Sequence, residues 1–144
     1  MSSDHSLIVR KLKKYFHIEE FVSKEYFESF PEETLWCIFD TNLLKGILWV
    51  REKTGLKVTI NNWKWGGSRV DSGFRGQGSD TGAKLSGHRL GRCADLVSAD
   101  MAKLRIACME CHYFTEIEAE KHTPGWVHVS TRPHFLTGLR IINP

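Results

Sequence analysis

The sequence lacks any run of about 18 consecutive apolar residues, so it predicts no membrane-spanning helix. Its first residues show no basic segment followed by an apolar one, so no secretory signal is expected. Cysteine is scarce, with four in 144 residues, and these four are expected to be reduced thiols. The net charge is only +3, which is low for a dedicated nucleic-acid-binding protein. Membranes and nucleic acids are therefore not expected as partners.

The sequence does contain enough apolar material for one core. Hydrophobic residues make up 41% of the chain and aromatic residues 11%. A single domain over residues 1–144 is therefore expected to fold without disulfides. Helix and strand patterns interleave without repeated βαβ units, which favours an α+β fold with a small, mostly antiparallel sheet and helices packed on one side. Residues 1 to about 30 are expected to form an amphipathic N-terminal arm.

Periodicity and capping residues predict the elements of this fold. An apolar stripe predicts a helix that begins after Asp40 or Thr41, runs through Lys53 and ends at Gly55. Residues 61–87 are rich in glycine and predict a long irregular loop, a feature that is often functional. The other predicted elements are a helix capped by Ser98 over residues 99 to about 112, and strands over Lys57–Ile60, Cys93–Val97, Phe114–Ala119 and Trp126–Thr131.

Two segments carry residues that suit a metal site. His88 and Asp95 lie seven positions apart, and His128 lies on a predicted strand that alternates polar and apolar residues. Two imidazoles and one carboxylate are enough for a catalytic zinc site, which uses three protein ligands and leaves the fourth position to water. On spacing alone, a hydrogen-bonded loop histidine and a capping aspartate explain the first segment equally well.

The motifs around these residues resemble those of the zinc D-Ala-D-Ala carboxypeptidase and hedgehog-type metallopeptidase family, in its phage-encoded branch. The resemblance extends from about residue 15 to the C-terminus, and its motifs occur in the order found in the family. The segments that carry it are Leu56-Lys-Val-Thr-Ile-Asn-Asn-Trp63-Lys-Trp-Gly-Gly67, Ser72-Gly-Phe-Arg75, Ser86-x-His88-x-x-Gly91-x-x-x-Asp95 and Trp126-x-His128.

The resemblance implies a zinc-dependent peptidase that cuts peptidoglycan stem peptides, either as a D-Ala-D-Ala carboxypeptidase or as an endopeptidase. It implies that His88, Asp95 and His128 are the metal ligands, that Arg75 binds a substrate carboxylate, and that Ser86 supports the site. It further implies a phage lysin found in the host cytoplasm or in the virion. Its partner would be bacterial peptidoglycan, with other virion proteins as further candidates.

The sequence departs from the family pattern at the general base that a zinc peptidase needs. Gly125 and Trp126 occupy positions where relatives carry an acid or a histidine, and Ser130 replaces a frequent acid after the last ligand. An inactive virion structural or wall-binding protein that keeps the fold is therefore an alternative. The remaining candidates for the base are Glu116, Glu118, Glu120 and His122, of which Glu118 is favoured because it lies on the strand expected to pair with that of His128.

The segment Cys108-Met-Glu-Cys111-His112 matches the spacing of a c-type haem attachment site and of half a structural zinc site. It falls within a predicted helix and has no second pair of matching ligands. Burial of Cys108 as a small apolar residue of that helix is therefore the preferred interpretation.

Overall fold

The computed structural model describes residues 2–83 and 85–144. This part of the chain forms an α+β fold, as the sequence predicts, with five α-helices and a four-stranded sheet. The helices are α1 (Ser3–Leu12), α2 (Lys24–Ser29), α3 (Glu32–Trp36), α4 (Thr41–Thr54) and α5 (Met101–Glu110), and the strands are β1 (Cys93–Leu96), β2 (Glu116–Glu118), β3 (Val127–Ser130) and β4 (Arg140–Ile142). Short 3-10 turns lie at Ile18–Glu20, Trp63–Trp65 and Gly87–Leu90.

The strands lie in the order β1-β3-β2-β4. Strand β3 pairs antiparallel with both β1 and β2, whereas β4 pairs parallel with β2. The sheet is therefore mostly antiparallel, as predicted, but β4 has no counterpart among the predicted strands. The predicted strand Lys57–Ile60 forms only an isolated bridge between Thr59 and Val97.

Helix α4 begins and ends where its capping residues predict. The carboxylate of Asp40 accepts hydrogen bonds from the backbone N–H groups of Asn42 and Leu43, and Gly55 ends the helix with a φ of 67°. Helix α5 is shorter than predicted and is capped by Asp100 rather than by Ser98. The Ser98 hydroxyl instead donates to the carbonyl oxygen of Asp100, so it is not available as a cap.

The segment predicted as an N-terminal arm is part of the core. Helix α1 packs on α4, and Leu12 and Phe21 are fully buried. The imidazole of His5 lies 2.8 Å from the Thr41 hydroxyl and 3.0 Å from the Trp36 carbonyl oxygen, which ties α1 to the start of α4. No helix within the described ranges has the length and apolar character needed to cross a membrane.

The sheet has an apolar face and a polar face because successive side chains along a strand point to opposite sides. Helix α5 packs against the sheet, and the apolar face contributes fully buried side chains to the core. The apolar face consists of Ala94, Leu96, Ile117, Val127 and Val129, and the polar face consists of Cys93, Asp95, Glu116, Glu118, His128 and Ser130.

The long loop predicted over residues 61–87 is largely irregular, and its described part is fastened to the rest of the molecule. The side-chain oxygen of Asn61 accepts a hydrogen bond from Ser72 N–H, and Phe74 N–H donates to the carbonyl oxygen of Phe21. The Arg89 guanidinium donates to the carbonyl oxygens of Gly76 and Ser79. Asp95 N–H also donates to the carbonyl oxygen of Ser72, which fixes the loop against β1.

Candidate metal centre

His88 lies on a tight turn that its neighbours hold in place. The Ser86 hydroxyl accepts a hydrogen bond from His88 N–H at 3.3 Å, and Gly91 ends the turn with a φ of 66°. A Cβ atom at Gly87 would collide with the sulfur of Cys93, so glycine is required for the turn to approach β1 this closely. The sequence thus presents His88 directly beside the first strand.

The orientation of the His88 ring is set by a backbone carbonyl. His88 Nδ1 lies 2.8 Å from the carbonyl oxygen of Gly73, which can only accept a hydrogen bond. Nδ1 must therefore carry the proton in the neutral ring, and Nε2 keeps its lone pair. This is a common arrangement for a metal-ligating histidine, in which one ring nitrogen is held by a hydrogen bond and the other binds the metal.

Pairing of β1 with β3 brings the other two predicted ligands together. Asp95 and His128 are register partners in this ladder, and Oδ1 of Asp95 lies 2.7 Å from Nδ1 of His128. Nε2 of His88 lies 3.3 Å from the same carboxylate oxygen and 3.2 Å from Nδ1 of His128. All three predicted ligands, which are far apart in sequence, therefore meet at one point.

These three residues form a group that can hold a metal ion. Ligand atoms at 2.0–2.2 Å from a tetrahedral ion lie about 3.3 to 3.6 Å apart, and two of the three separations in the group are close to this range. The shortest separation, between Asp95 and His128, is a hydrogen bond that would have to lengthen when a metal replaces its proton. Side-chain exposure is 2% for His88, 10% for Asp95 and 15% for His128. Solvent therefore reaches the group from the side of His128.

The charges of the group are coupled. Burial by itself would raise the pKa of Asp95, but the hydrogen bonds and charges of His128 and His88 outweigh it and lower this pKa well below its usual range. Burial would lower the pKa of His128, but the adjacent Asp95 and the nearby Cys93 thiol raise it to about 10. Without a metal, the structure therefore favours an ionised Asp95 beside a protonated His128.

Arg75 lies at the edge of this group, as predicted for a residue of the site. Its Nη2 lies 3.3 Å from Oδ2 of Asp95, and its Nε donates to the carbonyl oxygen of Asp71 at 2.8 Å. Asp95 therefore uses one carboxylate oxygen for the histidines and the other for the arginine. These contacts leave Nη1 of Arg75 for a further acceptor.

Glu118 lies on the polar face at a position consistent with its predicted role. Glu116 pairs with Ser130 and Ile117 with Val129. One further step of this register places Glu118 of β2 opposite His128 of β3. Residues directly opposite each other on an antiparallel pair have Cβ atoms about 4.5 to 5.5 Å apart. Glu118 is half-buried, whereas Glu120 and His122 are exposed in the turn that follows β2.

Two contributors to the site were not predicted from the sequence. The Gly73 carbonyl that orients His88 belongs to the irregular loop, where no periodicity indicates its direction. Cys93 is buried and lies near His128, and the alternation of β1 could have placed it on the same face as Asp95. Glu116, one of the candidates for the general base, is buried and paired with Arg132 and Arg140.

The Cys108–His112 segment and the two tryptophans of the turn Trp63–Trp65 have simpler structural roles. Cys108 and Cys111 are buried at the end of α5, and burial raises the pKa of both thiols, as expected for core residues. Trp63 is half-buried and donates a hydrogen bond to the Val22 carbonyl, whereas Trp65 is exposed. A cavity of about 590 Å³ near Trp65 and Lys57 contains none of the metal-site residues. The chemistry of the side chains, rather than cavity size, therefore identifies the candidate site.

Comparison of the chain with models of protein families, with curated proteins and with solved structures finds no match. The group of His88, Asp95 and His128 is therefore the principal observation that bears on function.

Proposed function

We propose that the protein is a zinc-dependent peptidase of peptidoglycan stem peptides, acting as a D-Ala-D-Ala carboxypeptidase or an endopeptidase and serving as a phage lysin. The observation that carries this proposal is the convergence of His88, Asp95 and His128, with Arg75 beside them. The hedgehog-like sequence motifs support it, because the residues that they assign to the site are the ones that meet in space.

Zinc is the proposed metal because two imidazoles and one carboxylate form a common catalytic zinc set with an open position. When bound, zinc would polarise the scissile carbonyl and bring the pKa of a water molecule to about 7. The Gly73 carbonyl would keep the His88 ring in its ligating orientation, and Arg75 would hold the second carboxylate oxygen of Asp95.

Arg75 is proposed to orient the substrate as well. The guanidinium uses Nε for the carbonyl oxygen of Asp71 and Nη2 for Asp95, so Nη1 is the nitrogen that would donate to the substrate carboxylate. A carboxylate held there would lie next to the metal ligands. This placement suits removal of a C-terminal D-alanine, whose free carboxylate is adjacent to the bond that is cut.

Glu118 is proposed as the general base because its register position faces His128 on the polar face. It would accept a proton from the attacking water and pass it to the leaving amine. We expect Glu118→Gln to lower kcat by about 100- to 10,000-fold while zinc binding is retained. Glu120→Gln is the matched control, since Glu120 has a side chain that is 72% exposed and lies two residues further along the chain.

The direct test is to incubate the zinc-loaded protein with purified peptidoglycan and measure new amino groups and free D-alanine. Cleavage that disappears with a chelator and with His88→Ala supports the peptidase. A protein that binds one zinc ion per chain and releases neither product contradicts it.

A second candidate function is that of an inactive virion structural or wall-binding protein that keeps this fold. Gly125 and Trp126 favour this alternative, because they stand where the family that the sequence resembles has an acid or a histidine, and neither can replace these groups. Sedimentation of the protein with intact peptidoglycan, without cleavage, would support this alternative.

A further inference from the structure

The polar face of the sheet holds a second charged cluster next to the candidate metal centre. Glu116 is 4% exposed, and its carboxylate lies between two arginines. Its Oε1 lies 3.6 Å from Nε of Arg132, and its Oε2 lies 3.5 Å from Nη1 of Arg140. One carboxylate therefore faces two guanidinium groups, which leaves a net positive charge at the surface.

This cluster lies on the same side of the sheet as the metal ligands. Glu116 is the register partner of Ser130, which is two residues along β3 from His128. With a rise of about 3.4 Å per residue and a strand spacing of about 4.8 Å, Glu116 and His128 lie about 8 Å apart along the polar face. Arg132 lies two residues beyond Ser130, after the end of β3, and contacts Glu116, and Arg140 is the register partner of Glu116 on β4.

The two arginines differ from those that fasten the backbone. Arg105 is buried and donates to the carbonyl oxygens of Thr123 and Trp126. In contrast, the side chains of Arg132 and Arg140 are 52% and 48% exposed, and within residues 2–83 and 85–144 they have no hydrogen bond to protein beyond their ion pairs with Glu116. Each guanidinium has five N–H donors, so most of these donors face solvent.

The geometry points to an anion subsite in which Arg132 and Arg140, held by Glu116, bind a carboxylate on the acyl side of the peptide. This inference rests on the proposed peptidase function. Because both guanidinium groups lie within 3.6 Å of the Glu116 carboxylate, the separation of about 8 Å between Glu116 and His128 approximates their distance from the metal centre. An extended peptide spans at most about 3.3 to 3.6 Å per residue, so this distance corresponds to about two residues from the bond at the metal centre. The preferred substrate is therefore an acidic peptide, with Arg75 near its terminal carboxylate and the Arg132–Arg140 pair near a side-chain carboxylate upstream.

The test uses two acetylated peptides that end in D-Ala-D-Ala and differ only in carrying Glu or Gln two residues before the bond to be cut. For the zinc-loaded protein, we expect KM to be about tenfold lower for the Glu peptide, with similar kcat. Arg132→Gln and Arg140→Gln should each reduce this preference several-fold, by raising KM for the Glu peptide more than KM for the Gln peptide. Arg10→Gln is the control, because it changes the charge by the same amount on the exposed side of α1 and should leave the preference as it is.

A purely structural role of the arginines predicts a different result. It would change KM or kcat equally for both peptides, in parallel with a lower Tm, and would overturn the inference. Arg140→Lys, which keeps the charge, should retain part of the acid preference if the subsite exists. If neither glutamine variant folds, a partial loss of the acid preference in Arg140→Lys relative to the parent protein supports the subsite, and an unchanged preference overturns it. A parent protein without acid preference overturns it directly.

Calorimetric binding of the same two peptides separates this inference from the proposed function. Acid-selective binding that Arg132→Gln weakens, without turnover of either peptide, would support the anion subsite and contradict the peptidase. Turnover of both peptides with equal KM would support the peptidase and contradict the subsite.

Discussion

The two faces of the sheet contain side chains of opposite kinds, although these side chains alternate along the same strands. On β1 and β3, Leu96 and Val129 point into the core, whereas Asp95 and His128 meet on the other side. The apolar face gains stability by removing hydrocarbon from water. The polar face buries charged groups, which is costly unless each of them is paired. Pairing on this face is extensive, since Asp95 contacts two imidazoles and a guanidinium.

This difference indicates a division of roles between the faces. Substitutions on the apolar face should change stability and leave the metal group intact. Substitutions on the polar face should change metal binding more than folding. The following predictions test this division, beginning with the largest expected effect.

Removal of a metal ligand should have the largest effect. His88→Ala should weaken zinc binding by about 3 to 4 kcal/mol, or several hundredfold, which is one ligand's share of a typical zinc-binding free energy. Chelator competition measures this affinity. His122→Ala is the matched control, because His122 is exposed in the turn before β3 and should leave the affinity unchanged. Equal zinc affinity in the two variants would contradict the metal centre.

A truncation on the apolar face should have an effect of comparable size, on stability rather than on metal binding. Ile117→Ala should lower the free energy of unfolding by about 2 to 5 kcal/mol, since Ile117 is 2% exposed and a cavity would remain. Urea denaturation measures this loss, and zinc stoichiometry should stay at that of the parent protein. Ile141→Ala is the control on the neighbouring strand β4. Its side chain is 47% exposed, so its truncation should lower the free energy of unfolding by less. Loss of zinc binding in folded Ile117→Ala would show that the two faces are not independent.

The metal group was predictable from the sequence because its residues lie on short strands or beside them. The alternation in β3 places His128 and Ser130 on one face, and the Cys93–Val97 prediction places Asp95 on the adjacent strand. The motif resemblance then selected His88 from the seven histidines in the chain. The ligand set therefore came from the motif resemblance, whereas local patterns placed Asp95 and His128 on strands without indicating that these two strands pair.

Other parts of the structure depend on contacts that no local pattern reports. Strand β4 has only three residues, is half exposed, and is stabilised by parallel pairing with β2, so its sequence shows no alternation of a buried strand. Lys57–Ile60 does alternate, but it finds only one bridging partner. The ion pairs of Glu116 require both β4 and the segment after β3, and so they become visible only once these are placed in space.

The pH dependence of metal binding should show the coupling on the polar face. The pKa of His128 is raised to about 10 in the metal-free protein, so zinc must displace a proton from this ring at lower pH. The pKa of Asp95 is lowered, so this carboxylate is already ionised and releases none. We therefore expect zinc affinity, corrected for the chelator's own titration, to rise about tenfold per pH unit between roughly pH 7 and 9. An affinity independent of pH in this range would contradict the coupled Asp95–His128 pair.

The smallest predicted effect concerns Ser86, which caps the turn that carries His88. Loss of a capping hydroxyl costs about 1 kcal/mol, so Ser86→Ala should lower stability by about this amount and weaken zinc binding by less than tenfold. Ser86→Thr keeps the acceptor oxygen and should restore both properties. Because Ser86 acts through the His88 turn, its alanine variant should leave KM unchanged once zinc is saturating. A higher KM at saturating zinc would instead show that the hydroxyl contacts the substrate. The substrate-binding surface would then extend from the polar face to the edge of the loop.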